Sequence, residues 1–328
     1  MQTKTLLTLT SLLLAPTLIA PVAFSQEKPV AQGLATTTAV DDSYHFESVG
    51  KFQVGACKAY SYKMTSQTWQ GAPWTHWLSI LVPPQVDHSD AAVLFITGGS
   101  TSSSQPQADS TEAQLFSVIA TMAKVPVAIL QQVPNQPLQG GLGEDDLIAF
   151  TFDKYLNNQG DDWPLLLPMV ESARRAMDTV STVMAEKSGA AIKRFVISGA
   201  SKRGWTTWLT AAADKRVIAI APMVIDMLNM QPQMEQQIKS YGKFSGQIDP
   251  YSKLKIQARL TTARGKQLAS IVDPYAYRHS LSLPKLIVLG TNDPYWTVDA
   301  ANLYFPGLTG TKHLYYLANA GHGLGASI

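Results

Sequence analysis

Cysteine is almost missing from this sequence. Cys57 stands alone among 328 residues, so no disulfide can close within the chain and its core must hold it together. The residue sits in "VGACKAYSY", away from any metal or thiol-catalysis context, and reads as a packed thiol. An excess of one charge is missing too: 26 Lys and Arg stand against 24 Asp and Glu. That balance argues against nucleic acid as a partner. The metal motifs HExxH, paired cysteines and Asx-rich calcium loops are all absent, and His279 and His313 have no partner at ligand spacing. No metal is therefore expected. The glycine-rich "GGLGED" (140–145) lacks the Lys-Ser/Thr of a phosphate loop, so no cofactor is implied either. Past the first 25 residues no apolar run reaches the roughly 18 residues that suggest a membrane span.

What the first 25 residues do contain is a short apolar run, Leu6 to Ala20, behind the cation Lys4. Ala23-Phe24-Ser25 then offers a small-x-small cleavage site before Gln26. This segment reads as an export signal, with an uncleaved anchor as the alternative, and places the protein in the periplasm or outside the cell. No LxxC lipobox precedes Gln26. Cleavage removes one cation and no acid, leaving 25 − 24 = +1. No stable membrane insertion is expected after that removal.

The rest is 45% hydrophobic and 15% charged overall, enough to bury a sizeable core. Residues 26–50 read as an extended lead-in. Six apolar runs then read as strands: "WLSILVPP" (77–84), "AVLFIT" (92–97), "VAILQQV" (127–133), "RFVIS" (194–198), "VIAIAP" (217–222) and "KLIVLG" (285–290). Several are continuously apolar, as strands buried on both faces are. A helix is expected at about 168–187, between Pro168 and Gly189. Strands alternating with helices imply α/β architecture with a mostly parallel sheet. Residues 226–280 break that rhythm with a Met- and Gln-rich helical stretch. They read as a cap inserted between the core segments 26–225 and 281–328, with a long ordinary crossover as the alternative. The cluster Trp69, Trp74, His76 and Trp77 reads as an aromatic hairpin packed on the core, with a pocket wall as the alternative.

"RFVISGASKRGW" (194–205) carries the chemistry. An apolar strand, a turn of small residues and a helix make the layout that lifts a serine to a helix N-terminus. The spacing is G-x-S-x-x-G, with Arg203 where the usual pattern has its second glycine. Ser201 as a simple helix cap is the bland alternative. A serine nucleophile needs a base, and the base needs an orienting acid. Asp293 follows the strand "KLIVLG", and His322 follows the strand-like "KHLYYLA", in the order Ser, Asp, His. Asp293 as a turn residue before Pro294, and His322 as an ordinary loop histidine, are the alternatives. The Lys202 N–H is one candidate oxyanion donor, and Gly99 or Ser100, after the strand at 92–97, supplies the second. Lys202, Arg203 and Trp296 are the candidate substrate-binding side chains. For the two cations the alternative is a salt bridge to "GEDD" (143–146) or "GDDW" (160–163).

Four blocks carry a further signal: "ISGASKRGWTTWLTAAADKRVIAIAPMVIDMLN", "LLLPMVESARRAMDTV", "PKLIVLGTNDPYWTVDAANLYFPGL" and "NAGHGLG". Together they resemble the PhoPQ-activated pathogenicity-related protein family, from about Tyr44 to the end of the sequence. The resemblance implies an α/β-hydrolase fold, export, and a Ser-Asp-His set at Ser201, Asp293 and His322. It also implies more chain after "NAGHGLG" than the six residues that follow His322 here, so a truncated form is expected. Two functions are then open. One is an exported serine hydrolase acting on an ester or amide of a small molecule or peptide. The other is a binding or signalling protein on a hydrolase scaffold.

Overall fold

A computed structural model describes Leu34 and residues 41–325. The proposed export signal lies outside the described residues. Nine strands form one sheet: β1 (His45–Val54), β2 (Cys57–Trp69), β3 (Ala72–Val82), β4 (Ala91–Ile96), β5 (Val127–Leu130), β6 (Arg194–Ala200), β7 (Val217–Met223), β8 (Lys285–Gly290) and β9 (Lys312–Leu317). Their spatial order is β1-β2-β3-β5-β4-β6-β7-β8-β9. The first four in that order pair antiparallel, and the run from β5 to β9 is parallel. The helices are α1 (Thr111–Ala123), α2 (Glu144–Leu156), α3 (Leu166–Ser188), α4 (Lys202–Ala213), α5 (Met230–Tyr241), α6 (Asp249–Lys253), α7 (Ile256–Arg259) and α8 (Ala263–Val272).

All six expected strands form, and β4 and β5 are packed on both faces, while Ile218 in β7 and Leu286 in β8 stay exposed. In β4, Ala92, Leu94 and Ile96 enter one core cluster, while Val93 and Phe95 pack on a second. β5 divides the same way, with Ala128 and Leu130 on one face and Val127 and Ile129 on the other. That is the period-two alternation of a strand, apolar at both phases because helices cover both faces. Helix α1 supplies Ala113, Phe116 and Ala120 to the smaller cluster, and α3 and α4 supply the larger. Helix α3 ends at Gly189, whose φ of 74° is the left-handed conformation of a helix stop.

Between the adjacent strands β7 and β8, where the cap is expected, lie only helical segments: α5 to α8 and two short 3-10 turns. The aromatic hairpin also forms, with β2 and β3 joined around Gln70 and Gly71 and with Trp69 edge-on to Trp74 at 5.7 Å. Two strands were not anticipated: β1 falls partly in the expected lead-in, and β2 carries polar residues inward. Their polar groups are paired, Ser66 with His76 at 3.0 Å and the Gln67 amide donating to the Pro168 carbonyl at 2.8 Å.

Register aligns the carboxyl ends of the parallel strands. Ile96 stands beside Gly199, Ala200 beside Met223, Met223 beside Val288 and Gly290 beside Leu317. The loops after β6, β8 and β9 therefore emerge along one edge. Ligand sites of open α/β sheets gather at such an edge.

Candidate active site

Ser201 sits between β6 and α4 with φ 57° and ψ −124°. A non-glycine residue adopts that strained conformation only where its surroundings dictate it. Its N–H donates to the Met223 carbonyl at 2.9 Å, and its carbonyl accepts from the Trp205 N–H at 2.9 Å. Both neighbouring elements thus fix the turn. The departure from the usual glycine spacing has a steric explanation. A Cβ on Gly199 would lie 2.7 Å from the Arg203 carbonyl oxygen, and one on Gly204 would lie 2.9 Å from the Met223 carbonyl oxygen. The two close approaches fall at 199 and 204, so the residue at 203 is free to carry a side chain. Gly199→Ala is expected to lower stability by about 1–3 kcal/mol or more through overpacking. A denaturation midpoint unchanged from wild type would contradict that steric account.

Arg203 does not face the cavity. Its guanidinium grips Glu144 with two bonds, Nη1 to Oε2 at 2.9 Å and Nη2 to Oε1 at 2.6 Å, and its Nε donates to the Val133 carbonyl. Burial works against the Glu144 carboxylate, but Arg203 overcomes it and holds the pKa at about 2. The expectation of a substrate-binding Arg203 is corrected: the residue braces the turn. Lys202 differs. Its ammonium reaches Asp145 at 2.7 Å and Glu144 at 3.3 Å, and the residue lines the cavity while only 8% exposed. Burial disfavours its charge, but Asp145 more than compensates and raises the pKa.

Asp293 and His322 meet, with Oδ2 to Nδ1 at 2.8 Å. The second carboxylate oxygen of Asp293 accepts the Tyr295 N–H at 2.9 Å. The Tyr295 ring stacks on the imidazole, 4.2 Å between centroids and tilted by 31°. His322 Nε2 is buried and makes no hydrogen bond.

One cavity joins these residues. Ser201, Lys202 and His322 line it, with a volume of about 70 Å³. Much of the remaining wall is apolar, from Trp205 and Ile225 in the core to Met230, Met234 and Ile256 in the helical stretch between β7 and β8. Trp296, the third candidate substrate-binding residue, also lines it. Gly99 and Ser100, the expected sources of the second oxyanion donor, are not among the residues that line it. The Ser100 N–H is taken by Ser103 Oγ at 3.0 Å, and the Gly99 carbonyl accepts from the Gln136 amide at 3.1 Å. Sequence reading passed over Asp145, Tyr251 and Tyr295 as site residues, although all three border the cavity. "GEDD" entered only as a salt-bridge partner, and Tyr295 lay unremarked beside Trp296. Among the described residues no group of three His, Cys, Asp or Glu is placed to hold a metal ion. No helix among them is long and apolar enough to cross a membrane.

Residues 35–327 match the sequence profile of the PhoPQ-activated pathogenicity-related proteins. The chain belongs to that family. A curated relative, autocrine proliferation repressor protein A of Dictyostelium discoideum, is 34% identical over 299 residues. The match covers 87% of this chain and 60% of that protein, so the chain spans only part of the length of its relative. Among solved structures, acetyl xylan esterase 1 from Thermoanaerobacterium superposes with a TM-score of 0.59 at 15% identity, covering 89% of this chain and 86% of that one. S-formylglutathione hydrolase from Agrobacterium tumefaciens gives 0.51 at 12% identity, covering 84% and 92%. At these identities the likeness is one of fold. The fold is that of the α/β-hydrolases, and its structural neighbours include esterases and peptidases.

Proposed function

We propose that this family member is an exported serine hydrolase that works through an acyl-enzyme. The observation that carries the reading is the state of His322. Asp293 holds its Nδ1, its Nε2 makes no hydrogen bond, and it shares a cavity wall with the strained Ser201. In this reading Ser201 Oγ bonds to the acyl carbon while His322 Nε2 takes its proton. The same proton passes to the leaving alcohol or amine as the old bond breaks. Water, deprotonated by His322, then releases the acid and restores Ser201. The Lys202 N–H opens helix α4 and has no intrahelical acceptor, which suits it to the developing oxyanion.

The wall also bears on the substrate. Lys202 and Arg203 are balanced by Glu144 and Asp145, so these four side chains together carry no net charge. The remaining wall is largely apolar. A small-molecule or peptide substrate with an uncharged apolar group beside the scissile ester or amide fits such a wall. Export rests on Lys4, the run Leu6 to Ala20 and Ala23-Phe24-Ser25. A role in virulence would follow the family's description. A second reading, a secreted signal on a hydrolase scaffold, is favoured by the name of the 34% identical relative. A fluorophosphonate probe separates the two. The hydrolase reading expects an adduct on Ser201, mapped by mass spectrometry and absent from Ser201→Ala. A folded protein that takes up no probe would leave the signalling reading standing.

A further inference from the structure

Asp145 is the second residue of α2, far from the proposed catalytic residues in sequence. Its carboxylate nevertheless collects donors from three separate parts of the site. Lys202, the residue after the nucleophile, approaches Oδ2 at 2.7 Å. Tyr295 donates its hydroxyl to the same oxygen at 3.4 Å. Tyr251, in helix α6 of the insertion, donates to Oδ1 at 2.9 Å. Tyr295 is itself tied to both remaining members of the proposed triad, through its N–H to Asp293 and its ring on His322.

We infer that Asp145 is a positioning residue: one partly buried carboxylate that clamps the nucleophile turn, the acid-base loop and the inserted helices into a single register. The inference rests on the hydrolase reading and adds to it a coupling between the insertion and the chemistry. A carboxylate suits the task because it accepts along several directions at once, and charge-assisted bonds are the stronger ones. The network is also closed. Burial first, and then the Asp145 charge, raise the pKa of the Tyr251 hydroxyl, so it stays a donor. The same two causes raise the Tyr295 pKa against the opposing pull of Lys202. Tyr251 and Lys202 both border the cavity, so a substrate that fills it presses on both arms of the clamp.

Asn at this position is nearly isosteric, but it brings an N–H₂ group into a ring of donors. Lys202 would keep only Glu144, and one hydroxyl would lose its acceptor. Misplacing reacting groups by about 1 Å costs on the order of 10²-fold. Asp145→Asn is accordingly expected to lower the limiting rate of fluorophosphonate labelling per folded molecule by about that factor. KM for an apolar ester should change much less than kcat, because the apolar wall is untouched. A merely structural role would lower the folded fraction and leave the rate per folded molecule as it was. Tyr251→Phe removes one hydroxyl from outside the triad and carries the test if Asp145→Asn does not fold. It should slow labelling about threefold to tenfold, the worth of one net hydrogen bond. Wild-type labelling rates in both variants would overturn the inference while leaving the hydrolase reading intact. A wild-type protein that does not label at all would remove both.

Discussion

Asp293→Asn is expected to lower kcat by about 10⁴-fold, the scale found when the acid of a serine triad becomes an amide. The direction follows from a detail of this site. The Tyr295 N–H donates to one Asp293 oxygen, and His322 Nδ1 meets the other. In the variant, the Tyr295 N–H keeps the amide oxygen on its own side, so the NH₂ group must face Nδ1. The imidazole is then driven to the tautomer protonated at Nε2. In the proposed mechanism that nitrogen has to accept the proton of Ser201. The protein should still fold, since shape and packing are almost unchanged. Steady-state turnover of an activated apolar ester, read beside a thermal melt, checks both halves. A loss smaller than tenfold would mean that Asp293 does not set the imidazole, and the proposed triad would lose its acid.

Much of this arrangement was legible because its signals are local. The strands β4 to β8 announced themselves as short apolar runs, and β4 and β5 are packed on both faces as that reading expects, whereas Ile218 in β7 and Leu286 in β8 are exposed. The turn at Ser201 was legible from its small residues, although its glycine spacing is unusual. Only the structure explains the spacing, through the close approaches at Gly199 and Gly204. Strand β2 stayed hidden because its buried positions include the polar Ser61, Ser66 and Gln67. Polarity there signals a hydrogen-bonded interior, and no alternation marks it. Arg203 was ambiguous for a related reason. A cation beside a nucleophile can bind substrate or a carboxylate, and the carboxylate, Glu144, belongs to another helix. Asp145 was the least visible. Its role consists of three contacts brought together by tertiary folding, and nothing in "GEDD" distinguishes it from its neighbours.

A second carboxylate shows how environment alone separates two aspartates. Asp226 lies in the loop after β7, and the Asp293 charge adds to the cost of ionising it. Asp293 has two partners, whereas Asp226 is 4% exposed and its Oδ1 makes no hydrogen bond. Burial pushes its pKa from the ordinary 3.8 up to about 7, against the opposing influence of the Tyr304 hydroxyl and with help from Asp293. Below about pH 4 both folded and unfolded chains hold the proton and the group costs nothing. From there to about 7 the unfolded chain releases it while the folded chain keeps it, so stability falls as pH rises. Above that the full cost persists, because a charge must be buried without adequate partners. Asp226→Asn removes that charge. It is expected to stabilise the protein by a few kcal/mol at about pH 8, since a tenfold change in proton affinity is worth about 1.4 kcal/mol, with the gain fading as the solution is acidified. Urea midpoints of both proteins at about pH 4, 6 and 8, spanning that window, test this. A difference that does not change with pH would mean that the folded protein already compensates the Asp226 charge. The position would then have no need of a proton, and Asp226 would be a partnered acid like Asp293.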